Sequence, residues 1–274
     1  ATNNIIHPNE PQAMTDSEHY QQKKRFFDSL LTIYGRKPVL EALQDKSMNL
    51  YRLHLASSNK TAGIISDIIS LAESRGVEIQ WHDRKSLSRI SRNSKQDQGV
   101  AADIEIEQHQ SLRHYLQQQT GEHRLNLIAL DNITNPQNLG MIIRSVCAGT
   151  IDGLIIPRKG CAALSPLVIK ASVGTLFKAP LLHCESLPEG LADLREHGVT
   201  LCTLSSHAKQ SLFEYQPKKS VVYILGNETE GVSKEVAKLS DQQLSIPMNN
   251  GVESLNVAIT AALIAFKEGN KRSD

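Results

Sequence analysis

Residues 249–266 read NNGVESLNVAITAALIAF, a polar, glycine-bearing opening that changes into a run of small apolar residues. Ser254 fits a helix N-cap, and Val257, Ala258, Ala261, Ala262, Ile264 and Ala265 form a broad apolar face behind it. Just upstream, Leu244-Ser245-Ile246-Pro247-Met248 reads as a short strand closed by proline. Further upstream, the β-branched run Val221-Val222-Tyr223-Ile224-Leu225 ends on Gly226-Asn227-Glu228-Thr229-Glu230-Gly231. Two strands therefore each enter a polar loop and then a helix, the position at which α/β sheets hold ligands.

The same pattern extends back to residue 125. Leu125 to Asp131 is a continuous apolar run of the buried parallel type, and residues 132–140 form a loop leading to a helix that starts near Leu139. Leu154 to Pro157, Ala179 to Cys184 and Val199 to Leu204 give further strands, and Ser165 to Ser172 a helix. Strands alternating with helices predict an α/β fold with a mostly parallel sheet and helices on both faces over residues 125–274. The first strand is not followed by G-x-G-x-x-G, which disfavours a dinucleotide fold.

The front of the chain is organised differently. Residues 1–29 lack a sustained hydrophobic period and read as a flexible tail. Residues 30–106 read as a small α/β unit. A helix follows Tyr34-Gly35 with Pro38 at its first position, Leu50 to Ala56 alternates as a strand, and Ile64 to Ala72 has helical spacing stopped by Gly76. Val77 to Trp81 and residues 98–106 supply two more strands. Residues 107–124 are Gln-rich and read as the connection between the two units. The segment from Arg84 to Lys95 carries Arg84, Lys85, Arg89, Arg92 and Lys95 and no acidic residue. It is either a solvated helix face or a surface that contacts phosphates.

Composition sets wide bounds. The 274 residues suffice for two cores, and 40% hydrophobic with 22% charged residues is ordinary for a globular protein. A formal net charge of +1 means that any nucleic-acid binding rests on local patches. The longest apolar stretch is too short to cross a bilayer, and the first residues show no leader pattern, so a cytoplasmic protein without membrane contact is expected. Cys147, Cys161, Cys184 and Cys202 are widely spaced without C-x-x-C, which favours reduced thiols over a metal site.

GNETEG at 226–231, IPM at 246–248 and ESLNVAITAALIAF at 253–266, preceded by NPQNLGMIIRS at 135–145, resemble the three motifs of the SpoU/TrmH-type RNA methyltransferases of the SPOUT class. The resemblance covers most of residues 125–267, with the motifs in the family's order. It implies a deep C-terminal trefoil knot, a homodimer, and S-adenosyl-L-methionine bound within the knot. It further implies catalytic roles for Arg144, Asn138, Glu228, Ser254 and Asn256, and cofactor contacts from Gly226, Ile246, Leu255, Met248 and Leu225. GRKPVLEAL near residue 35 and QGVAADIE near residue 98 resemble the L30e-like N-terminal domain of family members that modify ribosomal RNA. In that light Arg36, Arg84, Lys85, Arg89, Arg92 and Lys95 are the expected RNA contacts. One departure stands out: where the family usually has glycine six positions after the motif arginine this chain has Thr150, with the glycine at Gly149.

Methyl transfer from a sulfonium to a ribose 2′-hydroxyl is an in-line displacement that needs alignment and help with the hydroxyl proton, and needs no metal. Arginine is a poor base, so Arg144 is expected to act as a fixed cation beside the developing alkoxide. Glu228 is the natural carboxylate partner for Arg144 or for the substrate. Gly226 would let a ligand approach the backbone. The expected reaction is 2′-O methylation of RNA, with a guanosine of large-subunit ribosomal RNA preferred over transfer RNA. A non-catalytic RNA-binding homologue and a small-molecule methyltransferase are the competing readings.

Overall fold

The computed structural model describes residues 20, 23, 26–27, 30–46, 48–106 and 109–267. The tail expected over residues 1–29 lies almost wholly outside the described residues. The first sheet contains β1 (Leu30–Tyr34), β2 (Leu50–Ala56), β3 (Glu78–His82) and β4 (Val100–Glu105), in the order β1-β4-β2-β3. β4 runs antiparallel to both neighbours, and β3 is parallel to β2. Strand alternation sorts Leu31, Ile33, Leu53, Leu55, Ala102 and Ile104 into one apolar cluster. Helices α1 (Arg36–Gln44) and α2 (Ile64–Ser74) contribute Val39, Leu43, Ile65 and Ile68 to it. Leu87 of α3 (Arg84–Ser91) packs on Ala56 and Ala101 instead. Helix α1 starts two residues before Pro38, because Gly35 at φ 96° turns the chain into it. Pro38 is still in the first turn, where its missing N–H would have had no intrahelical partner.

The second sheet has eight strands. They are β5 (Gln110–Ser111), β6 (Asn126–Leu130), β7 (Gly153–Pro157), β8 (Leu181–Cys184), β9 (Thr200–Leu204), β10 (Gln210–Ser211), β11 (Val221–Leu225) and β12 (Gln242–Ser245). Their order is β10-β12-β9-β11-β6-β7-β8-β5, and every pairing is parallel. The stretch expected to be a connection therefore supplies an edge strand and, immediately after it, helix α4 (Leu112–Gln117).

The remaining helices are α5 (Pro136–Ala148), α6 (Pro166–Ala171), α7 (Leu187–Glu196), α8 (Lys234–Lys238) and α9 (Val257–Ala265). β6, β7 and β11 are buried along their whole length, and alternate residues feed two cores. Ile128, Leu154, Tyr223 and Leu225 join Leu139 and Ile142 of α5 and Ala261 of α9. Leu127, Ile155, Val222 and Ile224 join Leu116 of α4, Leu191 of α7 and Val236 of α8. Helices thus cover both faces.

Helix α5 is the hub on the first of these faces. A Cβ on Gly140 would stand 2.4 Å from Ala171 Cβ of α6, and one on Gly149 would stand 2.4 Å from the Ala265 carbonyl oxygen of α9. Both glycines therefore permit close helix approach. Thr150 donates to that same Ala265 oxygen through its backbone N–H at 2.9 Å and its hydroxyl at 3.2 Å. The Gly149–Thr150 departure is accommodated: the glycine clears the crossing and the threonine closes the last turn of α9.

Two helix starts differ from expectation. Asn135 caps α5, accepting from the N–H groups of Gln137 and Asn138, with Pro136 at the first helical position. Asn138 thus lies inside the first turn, ahead of the predicted start near Leu139. Asn256, not Ser254, caps α9, accepting the Ala258 N–H at 2.8 Å. Residues 252–256 stay irregular and leave Ser254 exposed.

Candidate functional site

The site gathers at the carboxyl ends of adjacent parallel strands β12, β9, β11 and β6. The loop after β11 is built around Asn227. Its side chain accepts the Thr229 N–H at 2.8 Å and donates to the Asn132 carbonyl at 3.3 Å, while its own carbonyl takes the Gly231 N–H at 2.8 Å. Gly226 has a steric reason of its own, separate from ligand approach. A Cβ there would lie 2.1 Å from the Gly231 carbonyl carbon and 2.2 Å from the Val232 nitrogen, so the loop's own backbone already fills that space. Buried Asp131, at the end of β6, anchors the far side by accepting the Ser233 N–H at 2.7 Å. Ser233 in turn caps α8.

This loop, the segment leading to α9 and the loop after β9 enclose a cavity of about 430 Å³. All five residues expected at a cofactor line it: Leu225, Gly226, Ile246, Met248 and Leu255. Glu228, Glu253 and Ser254 line it as well, together with Thr203 and His207 from segments that the motifs did not single out. The volume falls in the range typical of small-molecule sites.

Beside the cavity, one side-chain chain links the three motifs. Asn138 Nδ2 donates to Glu228 Oε1, and Asn256 Nδ2 donates to Asn138 Oδ1 at 3.2 Å. Asn138 is 9% exposed, so each end of its amide has a specific partner in a nearly dry place. The single Asn256 amide does two jobs: its oxygen caps α9 and its nitrogen reaches α5. Of the two partners expected for Glu228, Arg144 or the substrate, Arg144 is not in contact, and Asn138 takes Oε1 instead. Arg144 stands exposed on α5, with no ion pair or hydrogen bond to another described residue. It does not line the cavity.

Arg84, Lys85 and Arg89 are exposed on α3, and Arg92 and Lys95 are exposed just after it. Arg36 is half-buried at the first position of α1. The cysteines show no nucleophilic character. Burial pushes the thiols of Cys161 and Cys202 up to about 11 and that of Cys184 up to about 12. Among the described residues, no cluster of three or more His, Cys, Asp or Glu could hold a metal, and no helix is long and apolar enough to cross a membrane.

Sequence reasoning missed Asp131, Asn135 and Asn227. Asn135 was signalled by the following proline, and Asn227 by its place in a Gly-Asn turn. The partner of Asp131 is 102 positions away, and no local pattern points to it.

A parallel α/β sheet with a polar cavity at its carboxyl edge, bordered by linked Asn, Glu and Asn side chains, describes a class of small-molecule-using α/β enzymes. Its particular family follows from sequence comparison. The pattern of the SpoU rRNA Methylase family matches residues 125–266, and the chain belongs to that family. Residues 32–110 match the RNA 2′-O ribose methyltransferase substrate-binding family. An uncharacterized tRNA/rRNA methyltransferase of Mycobacterium avium (strain 104) is 27% identical over 267 residues, 97% of this chain and 86% of that one. The fold is shared with an AdoMet-bound rRNA methyltransferase from Sinorhizobium meliloti, with a TM-score of 0.58, 23% identity, and 90% and 89% of the two chains covered. It is also shared with the SpoU methyltransferase AviRb from Streptomyces viridochromogenes in complex with AdoMet, with a TM-score of 0.56, 20% identity and 92% of each chain covered.

Proposed function

We propose that the protein transfers a methyl group from S-adenosyl-L-methionine to a ribose 2′-hydroxyl in RNA, with large-subunit ribosomal RNA preferred over transfer RNA. The observation that carries this reading is the Glu228–Asn138–Asn256 chain beside the 430 Å³ cavity, since three segments remote in sequence meet there. Bound in the cavity, S-adenosyl-L-methionine supplies an electrophilic methyl. Leu225, Gly226, Ile246, Met248 and Leu255 would hold it, and its polar groups would meet the loop backbone around Asn227. Asn138 holds Glu228 on one side and Asn256 on the other, fixing the polar wall against which a ribose would sit. Arg144 carries a cation unneutralised by any described carboxylate, suited to a phosphate or to oxygen charge developing during transfer. Ser254, at the cavity edge, is free to contact ribose or donor.

The same reading includes an L30e-like RNA-binding domain over residues 30–106 and a SPOUT domain over 125–274 with a deep trefoil knot. Two features support the knot: β12 enters the sheet between β9 and β10, and the chain then returns to pack α9 on α5. A homodimer is supported by Met141, Ile259 and Phe266, apolar residues 43–48% exposed on or next to these two helices.

The test incubates wild type and Arg144→Ala with labelled S-adenosyl-L-methionine and, separately, unmodified ribosomal RNA or bulk transfer RNA. Label in an alkali-resistant dinucleotide of ribosomal RNA, lost in the variant while cofactor binding persists, is the expected result. Label in transfer RNA alone overturns the substrate, and cofactor binding without label in either RNA overturns the reaction.

A further inference from the structure

The six basic residues expected to contact RNA are not equivalent. Lys85, Arg89, Arg92 and Lys95 project from the surface without a described hydrogen-bond or ion-pair partner. Arg36 is fixed. Its Nε donates to the Gln98 carbonyl at 3.3 Å, its Nη2 donates to Asn59 Oδ1 at 3.2 Å, and its backbone N–H is taken by Gln98 Oε1 at 3.1 Å. Asn59 is itself fixed, donating to the Gly99 carbonyl at 2.7 Å. All of these partners are neutral, so the guanidinium is oriented without being neutralised.

Arg84 approaches from the other side. It lies 3.7 Å from Asp97 Oδ1, a fully buried carboxylate that already accepts the Ser91 hydroxyl at 2.8 Å and the Gly99 N–H at 2.9 Å. Gly99, at φ 76°, is the hinge between the two arginines. A Cβ there would stand 3.2 Å from Arg84 Nη1 and 2.8 Å from the Asn59 amide nitrogen. The Asn59 amide therefore fills the space above bare Gly99, with Arg84 against that space on one side and Arg36 bonded to the Asn59 oxygen on the other.

We infer that Arg36 and Arg84 form a preorganised clamp for phosphates of an RNA strand, and that Asn59 and Gln98 are its positioning residues. This rests on the RNA-substrate reading and goes beyond it by ranking the contacts. A guanidinium fork held in place loses less freedom on binding a phosphate than a free lysine or arginine does. The clamp carries the affinity, and the four loose cations add a diffuse, screened attraction.

The test uses the full chain and filter binding of large-subunit ribosomal RNA and bulk transfer RNA across a salt series, with melting temperature and S-adenosyl-L-methionine binding as fold controls. Arg36→Lys keeps the charge and loses the fork, and it is expected to weaken both RNAs about tenfold with the salt slope intact. Asn59→Ala is expected to weaken binding several-fold, again with the slope intact, since no charge is removed. Asn59→Asp sets a carboxylate on Arg36 and is expected to lower the slope by about one phosphate contact. Lys85→Ala is expected to change affinity less than about twofold at physiological salt. Equal losses for Arg36→Lys and Lys85→Ala, or wild-type binding by both Asn59 variants, overturn the clamp and leave the RNA reading standing. A wild-type chain that binds neither RNA overturns both.

Discussion

Gly226→Ala separates two explanations for a glycine in a ligand site. If Gly226 serves ligand approach alone, alanine weakens cofactor binding and leaves the empty protein as stable as before. The geometry predicts otherwise. The new Cβ would meet the Gly231 carbonyl carbon at 2.1 Å and the Val232 nitrogen at 2.2 Å. Ordinary contact begins near 3.4 Å, so the loop must open by more than an ångström. The obstacle is backbone, and it cannot rotate away as a side chain would. The Gly231 N–H to Asn227 carbonyl bond, 2.8 Å long, spans that gap and is the first casualty. Overpacking of this kind costs about 2 kcal/mol, equivalent to a melting temperature about 4–8 °C lower without any ligand. The same opening moves the cavity wall, so S-adenosyl-L-methionine affinity is expected to fall by roughly 10- to 100-fold. Calorimetry and thermal melting of the ligand-free protein measure both quantities. An unchanged melting temperature with weakened binding refutes the argument from loop closure.

Asn138→Ala leaves Glu228 Oε1 and Asn256 Nδ2 to water, since both residues are exposed, and it is expected to cost about 1 kcal/mol of stability and at least about tenfold in turnover. Cofactor affinity should stay near wild type because Asn138 does not line the cavity; wild-type turnover at saturating substrates refutes this. Thr150→Gly, which restores the family's usual residue, removes the hydroxyl bond to Ala265 and adds unfolded-chain entropy, so a loss of about 1–1.5 kcal/mol is expected. A higher melting temperature would refute it. Burial, aided by His183 and Arg158, pushes His109 down to about 3. Between about pH 6.5 and 3 the unfolded chain therefore takes up a proton that the folded chain does not, and stability falls as pH falls, by up to about 1.4 kcal/mol per pH unit. His109→Leu should flatten that decline, and parallel melting curves for both proteins between pH 7.5 and 5 would refute the assignment.

What the sequence made legible follows from which interactions are local. Apolar runs such as Val221 to Leu225 revealed the parallel strands, because burial on both faces leaves no polar alternation. The polar loops that follow them carried the cavity. Helix starts were less legible. Ser254 and Asn256 are both competent caps, and the choice falls to Asn256 because its amide nitrogen is also claimed by Asn138 on α5. A propensity argument cannot see that second bond. Pairing Glu228 with Arg144 followed opposite charge, yet the carboxylate is met by a neutral amide six residues earlier on the same helix. The basic front segment showed charge and could not show that Arg36 is held while Lys85 is loose, since the holding groups come from residues 59, 98 and 99.

The contacts that build the site also explain why its parts must arrive together. Asn138, Glu228 and Asn256 are bridged across separations of 90 and 118 residues. Asp131 ties the β11 loop to β6 across 102, and Ala265 meets Thr150 across 115. Each link joins a loop at one strand end to an element placed by a different strand. None can form before β6, β11, β9 and β12 are assembled in one sheet. The central strands β6, β7 and β11 are buried along their whole length and give the loops a rigid base. The loops also bond one another, which is how a cavity edged by exposed Glu228 and Ser254 keeps its shape. A substitution that loosens one loop should therefore be felt at the others, and Asn138, touching two of them, is where that coupling is greatest.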